Sequence, residues 1–223
     1  MAVPQQQRAR ETRQRLIEGS ARVFARLGYT ATALSDIHAE TAISKGALYF
    51  HFRSKEEVAR AVLAEEQRIA QASAERVIAA APSSLAAAMA LCADFGRLVS
   101  SDDVVRAGVR LTNEADRFDP PLASPFEDWI PAIAALLSAA VAEGDVRAEV
   151  DTDALARFVI PAFTGVQLVS AVLTGYDDLP ERLREMWLLL LPGIAVPEQM
   201  ERIRSVLDDT LPGSWPESTK RPA

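Results

Sequence analysis

The sequence predicts an all-α fold, and three observations carry that reading. Apolar residues recur at helical spacing through nearly the whole chain, and no segment sustains the alternation of a strand. Proline, glycine and Ser/Thr/Asp signals divide the chain into segments of ordinary helix length. The composition, 49% apolar and 25% charged over 223 residues, suits one or two small domains with real cores.

The first helix is expected over about Arg8 to Leu27, with Leu16, Ile17, Phe24 and Leu27 on one face, stopping at Gly28, which best tolerates a left-handed cap. Two short helices follow, about Leu34 to Thr41 and Lys45 to Phe52, the second capped by Ser44. Ser54 and Glu57 form a capping box that opens a long helix ending before Pro82. A fifth helix covers about Ser84 to Val99 and a sixth about Asp103 to Asn113. Pro120 and Pro121 make Arg117 to Ser124 a loop. Ser124, Pro125 and Glu127 start a seventh helix, striped by Phe126, Ile130, Ile133, Leu137 and Val141 and ending at Glu143 and Gly144. Asp151 or Thr152 caps an eighth. A ninth, with Leu179, Leu183, Met186, Trp187, Leu190 and Leu191, lasts until Pro192, and Pro197 to Asp209 forms the last. The tail from Leu211, rich in Pro and Gly, is expected to be disordered.

Composition excludes several function classes. A single cysteine, Cys92, allows no intrachain disulfide and suits a reducing, cytoplasmic setting. With only His38 and His51 beside it, no zinc-ligand spacing exists, and neither metal nor cofactor is expected. There is no G-x-S-x-G and no glycine-rich phosphate loop, so no catalytic residues are assigned and the chain is not read as an enzyme. The amino terminus lacks a signal-peptide core. Between Arg157 and Asp177 lie 19 residues without charge, near the length of a membrane span. Thr164, Gln167, Ser170 and Thr174 make that stretch too polar to span well, so it is expected to be buried inside the protein or a dimer, with no membrane partner.

The net charge of −7 hides an asymmetry: residues 1–60 carry 10 Lys and Arg against 6 acids, a balance of +4, and the remainder carries −11. A basic head on an acidic body suggests one polyanion-binding module and a second module with another task. A pure dimerisation scaffold would have no use for the basic head. Two short helices joined by a turn of about three residues, with a helix on either side, describe a helix-turn-helix. On its second helix Lys45 can reach phosphate or a guanine edge, Gly46 and Ala47 let the backbone approach the groove, and Tyr49 and His51 offer donors to phosphate. Leu48 and Phe52 anchor this helix to the core; Phe50 is divided evenly between core and surface. Lys55 adds a cation beside free backbone N–H groups at the next helix start.

The string from Glu11 to Leu63, and SKGALYFHFRSKEE above all, resembles the DNA-binding domain of the TetR family of transcriptional regulators. The ALYFHF variant, with the Trp129 region, resembles the branch that receives γ-butyrolactone and butenolide hormones in streptomycetes. The resemblance implies a homodimer on a palindromic double-stranded operator, released when the carboxy-terminal domain binds a small lactone-like molecule. The implied regulon is secondary metabolism; an antibiotic or other apolar effector, or a pseudo-receptor without one, is the alternative. The implied DNA-facing set is Ser35, Ser44, Lys45, Gly46, Ala47, Tyr49, His51 and Lys55. Residues 1–53 are then the DNA-binding domain, 54–210 the ligand-binding and dimerisation domain, and 211–223 a flexible tail.

Two positions depart from the family pattern. Thr41-Ala42 stands where Ala-Gly is usual, and an alanine at positive φ costs about 1 kcal/mol. Ala33 replaces a capping hydroxyl, a role Thr32 could take with a shift of one residue. For the ligand, the resemblance assigns Trp129, next to Pro131, to the pocket. Thr164 is the candidate polar contact nearest Pro161, with Gln167 or Ser170 serving neighbouring helices. Gln67, on the helix covalently continuous with the DNA head, is the third candidate.

Overall fold

The computed structural model describes residues 5–119 and 125–214. The helices among them are α1 (Gln5–Ala31), α2 (Leu34–Thr41), α3 (Lys45–His51), α4 (Lys55–Ala80), α5 (Ser84–Ser101), α6 (Asp103–Thr112), α7 (Phe126–Ala142), α8 (Thr152–Thr174), α9 (Leu179–Ile194) and α10 (Met200–Thr210). Short 3-10 turns stand at Ala115–Arg117 and Pro197–Gln199. The fold is all-α, with one isolated antiparallel bridge, Val146 to Ala195.

The chain divides into two units. The first holds α1 to α3, α4 as far as Gln71, and α6. The small core of α1 to α3 is extended by two further helices. Here Leu16, Ile17 and Phe24 of α1, Ile37 of α2, Leu48 and Phe52 around α3, and Val58 and Val62 of α4 close over Val104, Ala107 and Leu111 of α6. The buried side of α4 in this unit also includes Glu66, two turns before Ser73.

The second unit holds the rest of α4, α5, and α7 to α10. Its centre is α5, whose run of small residues, Ala86, Ala87, Ala88 and Ala93, lets neighbours approach closely. α7, α9 and α10 pack on it, and α8 packs on α7 and α9. Ser73 of α4 donates to Asp94 of α5, and Asp94 also holds Arg97. Asp178 joins α8 to α9 by accepting from Ser170 at 2.6 Å and Thr174 at 2.7 Å while pairing with Arg182 at 2.6 Å. The Ser170 hydroxyl leads the contacts that hold its carboxyl down at about 2.

Several expectations need correction. α1 begins earlier, and the chain resumes helical hydrogen bonding to Ala31 after Gly28 interrupts it at φ +79°, ψ 178°. α9 runs through Pro192 to Ile194, because a proline in the last turn forfeits one backbone bond while buried Leu191 and Ile194 hold that turn in place. Residues 197–199 form a 3-10 turn, and α10 starts at Met200. Leu211 is fully buried and its amide bonds to Leu207 at 2.8 Å, so the fold includes the first residues of the expected tail. Phe126 is exposed rather than on the buried stripe of α7. Ser124, Pro120 and Pro121 and the tail from Trp215 lie outside the described residues.

α8 is long and apolar enough to cross a membrane, with a third of its most apolar window buried. Within one chain it is not enclosed on nearly all sides: Phe158, Leu168, Val169, Val172 and Leu173 are exposed, and Leu189 on α9 is 82% exposed.

Candidate functional site

The reading unit is built from local signals. Ala33 is the N-cap of α2, and its amide donates to the Asp36 carboxylate at 2.8 Å. Thr32 does not take over the cap; its hydroxyl turns back to the Gly28 carbonyl at 2.6 Å. The turn after α2 places Ala42 at φ 53°, ψ 20°, the left-handed conformation that glycine adopts without cost. Ser44 caps α3 by accepting the Ala47 amide at 3.3 Å. His38 Nδ1 lies 2.6 Å from the Ile43 carbonyl, and Arg22 pairs with Glu40 at 2.7 Å, fastening the turn and α2 to the head.

α3 separates cleanly into two sides. Leu48 and Phe52 are buried, with the Arg13 guanidinium 5.3 Å from the Phe52 ring centre. Ser44, Lys45, Gly46, Tyr49 and Phe50 are exposed, while Ala47 and His51 are half-buried. A side chain at Gly46 would meet nothing within 4 Å, so the backbone there is open to a groove. Ser35 is exposed on α2. Phe50 is 79% exposed and stands edge-on to His51 at 5.1 Å, a surface residue that the sequence left undecided. An apolar ring displayed beside cations and hydroxyls suits contact with thymine methyl groups. Lys55 faces inward, its ammonium donating to the Tyr29 carbonyl at 2.8 Å and lying 4.3 Å from the Tyr29 ring centre. The capping box of α4 is stretched by one residue: Ser54 accepts the Glu57 amide at 3.1 Å, and Glu57 accepts from Arg53 at 2.7 Å.

In the second unit, Phe95 of α5 stands edge-on to Trp129 of α7 at 6.5 Å and to Phe163 of α8 at 6.0 Å. Trp129 and Phe95 are half-buried, so this aromatic cluster is a wall and not a closed core. Phe95 was missed by sequence reading because it occurs among the small residues of α5 with no motif around it. Thr164 adjoins Phe163, and its hydroxyl donates to the Ile160 carbonyl at 2.9 Å, leaving oxygen lone pairs as acceptors. Gln167 is buried, and Ser170 and Thr174 are bonded to Asp178. Gln67 is exposed on α4; the buried carboxyl beside it, Glu66, is the one that burial pushes up to about 7. Among the described residues no three His, Cys, Asp or Glu side chains gather to hold a metal.

A capped two-helix unit, displaying Lys45, Tyr49 and Phe50 around an open glycine in a chain that also carries a second helical unit, defines a helix-turn-helix DNA-binding regulator. Residues 16–62 match the family of bacterial regulatory proteins named for tetR, and residues 82–197 match the tetracyclin repressor-like C-terminal domain. The A-factor receptor protein of Streptomyces griseus is 34% identical over 199 residues, covering 89% of this chain and 69% of that one. A crystal structure of a gamma-butyrolactone receptor, an ArpA-like protein, superposes with a TM-score of 0.80 at 33% identity over 92% of this chain and 98% of that one. CprB of Streptomyces coelicolor, in complex with its biological operator sequence, superposes with a TM-score of 0.81 at 34% identity over 92% and 98% of the two chains. The chain belongs to the TetR family of bacterial transcriptional regulators. It is a DNA-binding repressor close to the gamma-butyrolactone receptors, and not an enzyme.

Proposed function

We propose that the chain is a cytoplasmic homodimer that holds a palindromic operator until a γ-butyrolactone or butenolide signal releases it, with genes of secondary metabolism as targets. The observation that carries this reading is the similarity to gamma-butyrolactone receptors along nearly the whole chain, effector domain included. The Phe95, Trp129 and Phe163 wall supports it, because an alkyl lactone needs apolar walls with a few polar groups at one end. Thr164 is the proposed polar contact of that wall; Gln67, exposed on α4 in the first unit, is a separate candidate for effector contact. Ser35, Ser44, Lys45, Gly46, Ala47, Tyr49 and His51 are the proposed DNA-facing set, to which exposure adds Phe50, while Lys55, expected among them, turns inward to the Tyr29 carbonyl and is proposed to brace the head instead. The exposed apolar residues of α8 and α9 are the proposed dimer contact.

The test uses the duplex that the wild-type protein selects from a random-sequence library. Synthetic alkyl γ-butyrolactones and butenolides should release it at micromolar or lower concentration and perturb tryptophan fluorescence, and Trp129→Ala should lose both responses. Failure of every such lactone would reject the effector class. Lys45→Ala with Tyr49→Ala should abolish binding to the same duplex while leaving the oligomeric state unchanged; retained binding would reject the assignment of α3.

A further inference from the structure

The helix-turn-helix joins the rest of its unit at two places, and both meet at one turn. Where α1 ends, Gly28 takes φ +79° and the chain turns through Tyr29 and Thr30 to Thr32, whose hydroxyl closes on the Gly28 carbonyl. Where α3 ends, Lys55 of α4 reaches back to the Tyr29 carbonyl at 2.8 Å. The reading unit is therefore a loop of chain closed at its base on Tyr29.

That base is held from α6. Two residues beyond this helix, one carboxylate oxygen of Glu114 accepts the Tyr29 amide at 3.0 Å, and the other accepts the Thr30 amide at 3.0 Å and hydroxyl at 2.8 Å. One turn earlier, Arg110 donates to the Ala25 and Arg26 carbonyls at 3.0 and 3.1 Å, near the end of α1. Phe118 stacks on the Tyr29 ring at 4.3 Å, and the Arg60 guanidinium lies 5.6 Å from the Phe118 ring centre. Gly28 is shaped to this arrangement. Beyond its positive φ, a side chain there would run into the Glu114 carboxylate and lie 3.0 Å from Arg110 Nε. Burial raises the Glu114 carboxyl, but the bonds from Thr30 and Tyr29 and the charge of Arg110 outweigh it and keep the group ionised.

We propose that Glu114 is a positioning residue for operator binding, one that fixes the Tyr29 turn and with it the orientation of α2 and α3. It acts through the two amides and the Thr30 hydroxyl of the turn and makes no contact with DNA. An ionised acceptor for three donors is stronger than a neutral one, which is why a carboxylate rather than an amide stands here. Glu114 thus fastens the end of α6 to the reading unit within the first unit of the fold.

The experiment compares full-length wild type, Glu114→Ala and Glu114→Gln on the duplex that wild type selects from a random-sequence library, with urea unfolding and hydrogen exchange on the same samples. Glu114→Ala should lose tenfold or more in affinity, and Glu114→Gln, which keeps one acceptor oxygen, should fall between the two. Exchange should quicken in residues 28–52 and stay unchanged in α5 and α8. The salt dependence of binding should be unchanged, since phosphate contacts are retained. Affinity within twofold of wild type would overturn the proposal. So would exchange that quickens equally in α5 and α8, because that marks a general loss of stability. Should Glu114→Ala fail to fold, Glu114→Gln decides on the same two readouts, with a threefold or greater loss expected.

Discussion

Glu66 of α4 lies directly over Gly108 of α6: a methyl group placed on Gly108 would fall 2.7 Å from Glu66 Cβ. The glycine is there to make room for the base of that side chain, which no rotation can move. Gly108→Ala should therefore destabilise the first unit by about 1–3 kcal/mol, the usual cost of overpacking. Urea unfolding of the variant checks this. An unchanged midpoint would mean that α4 and α6 separate freely at this contact.

The same carboxyl makes stability depend on pH. Burial raises Glu66 to about 7 in the folded chain, above its ordinary value of 4.5. Below the ordinary value both states hold the proton and Glu66 costs nothing. As pH climbs towards about 7 the unfolded chain gives up the proton first, and stability falls until the folded carboxyl ionises as well. The full loss is on the order of 3 kcal/mol. Glu66→Gln should remove it, so the difference in unfolding free energy between variant and wild type should grow from pH 5 to pH 7 and then level off. A constant difference across that range would refute the assignment.

Ala42 pays for a left-handed turn that glycine adopts freely. Ala42→Gly should raise the stability of the head by up to about 1 kcal/mol, less what the added freedom of the unfolded chain takes back. Thermal unfolding measures the gain. A lower melting temperature would mean that the alanine methyl makes a contact worth more than the strain.

Val172 on α8 and Leu189 on α9 are 76% and 82% exposed in the single chain. Apolar residues in such numbers on two packed helices call for a partner surface, and a two-fold dimer buries the same patch on both copies. Val172→Glu with Leu189→Glu should yield a folded monomer by sedimentation, with operator binding weakened because two half-sites need two heads. A dimer that persists would move the interface elsewhere.

Much of this protein was decided by local chemistry, and that part was legible in the sequence. Helical periodicity, Ser44, Asp151 and the prolines set the element order, because capping and backbone geometry act within a few residues. The family pattern marked Ala42 as the place where a left-handed turn would cost an alanine, and the structure puts it at φ 53°. Tertiary structure alone determined where polar groups far apart in sequence would meet. A striped helix such as α6 can serve any core, so nothing in its residues announced that Val104 and Leu111 close the head, that Glu114 would reach Tyr29, or that Lys55 would turn inward. Glu66 reads as a solvated acid beside Glu65 until packing takes it out of water, and Phe50 is undecided until Phe52 claims the core. Period and caps constrain a residue's neighbours along the helix, but which face is buried, and against what, depends on contacts between segments that the chain brings together only when it folds.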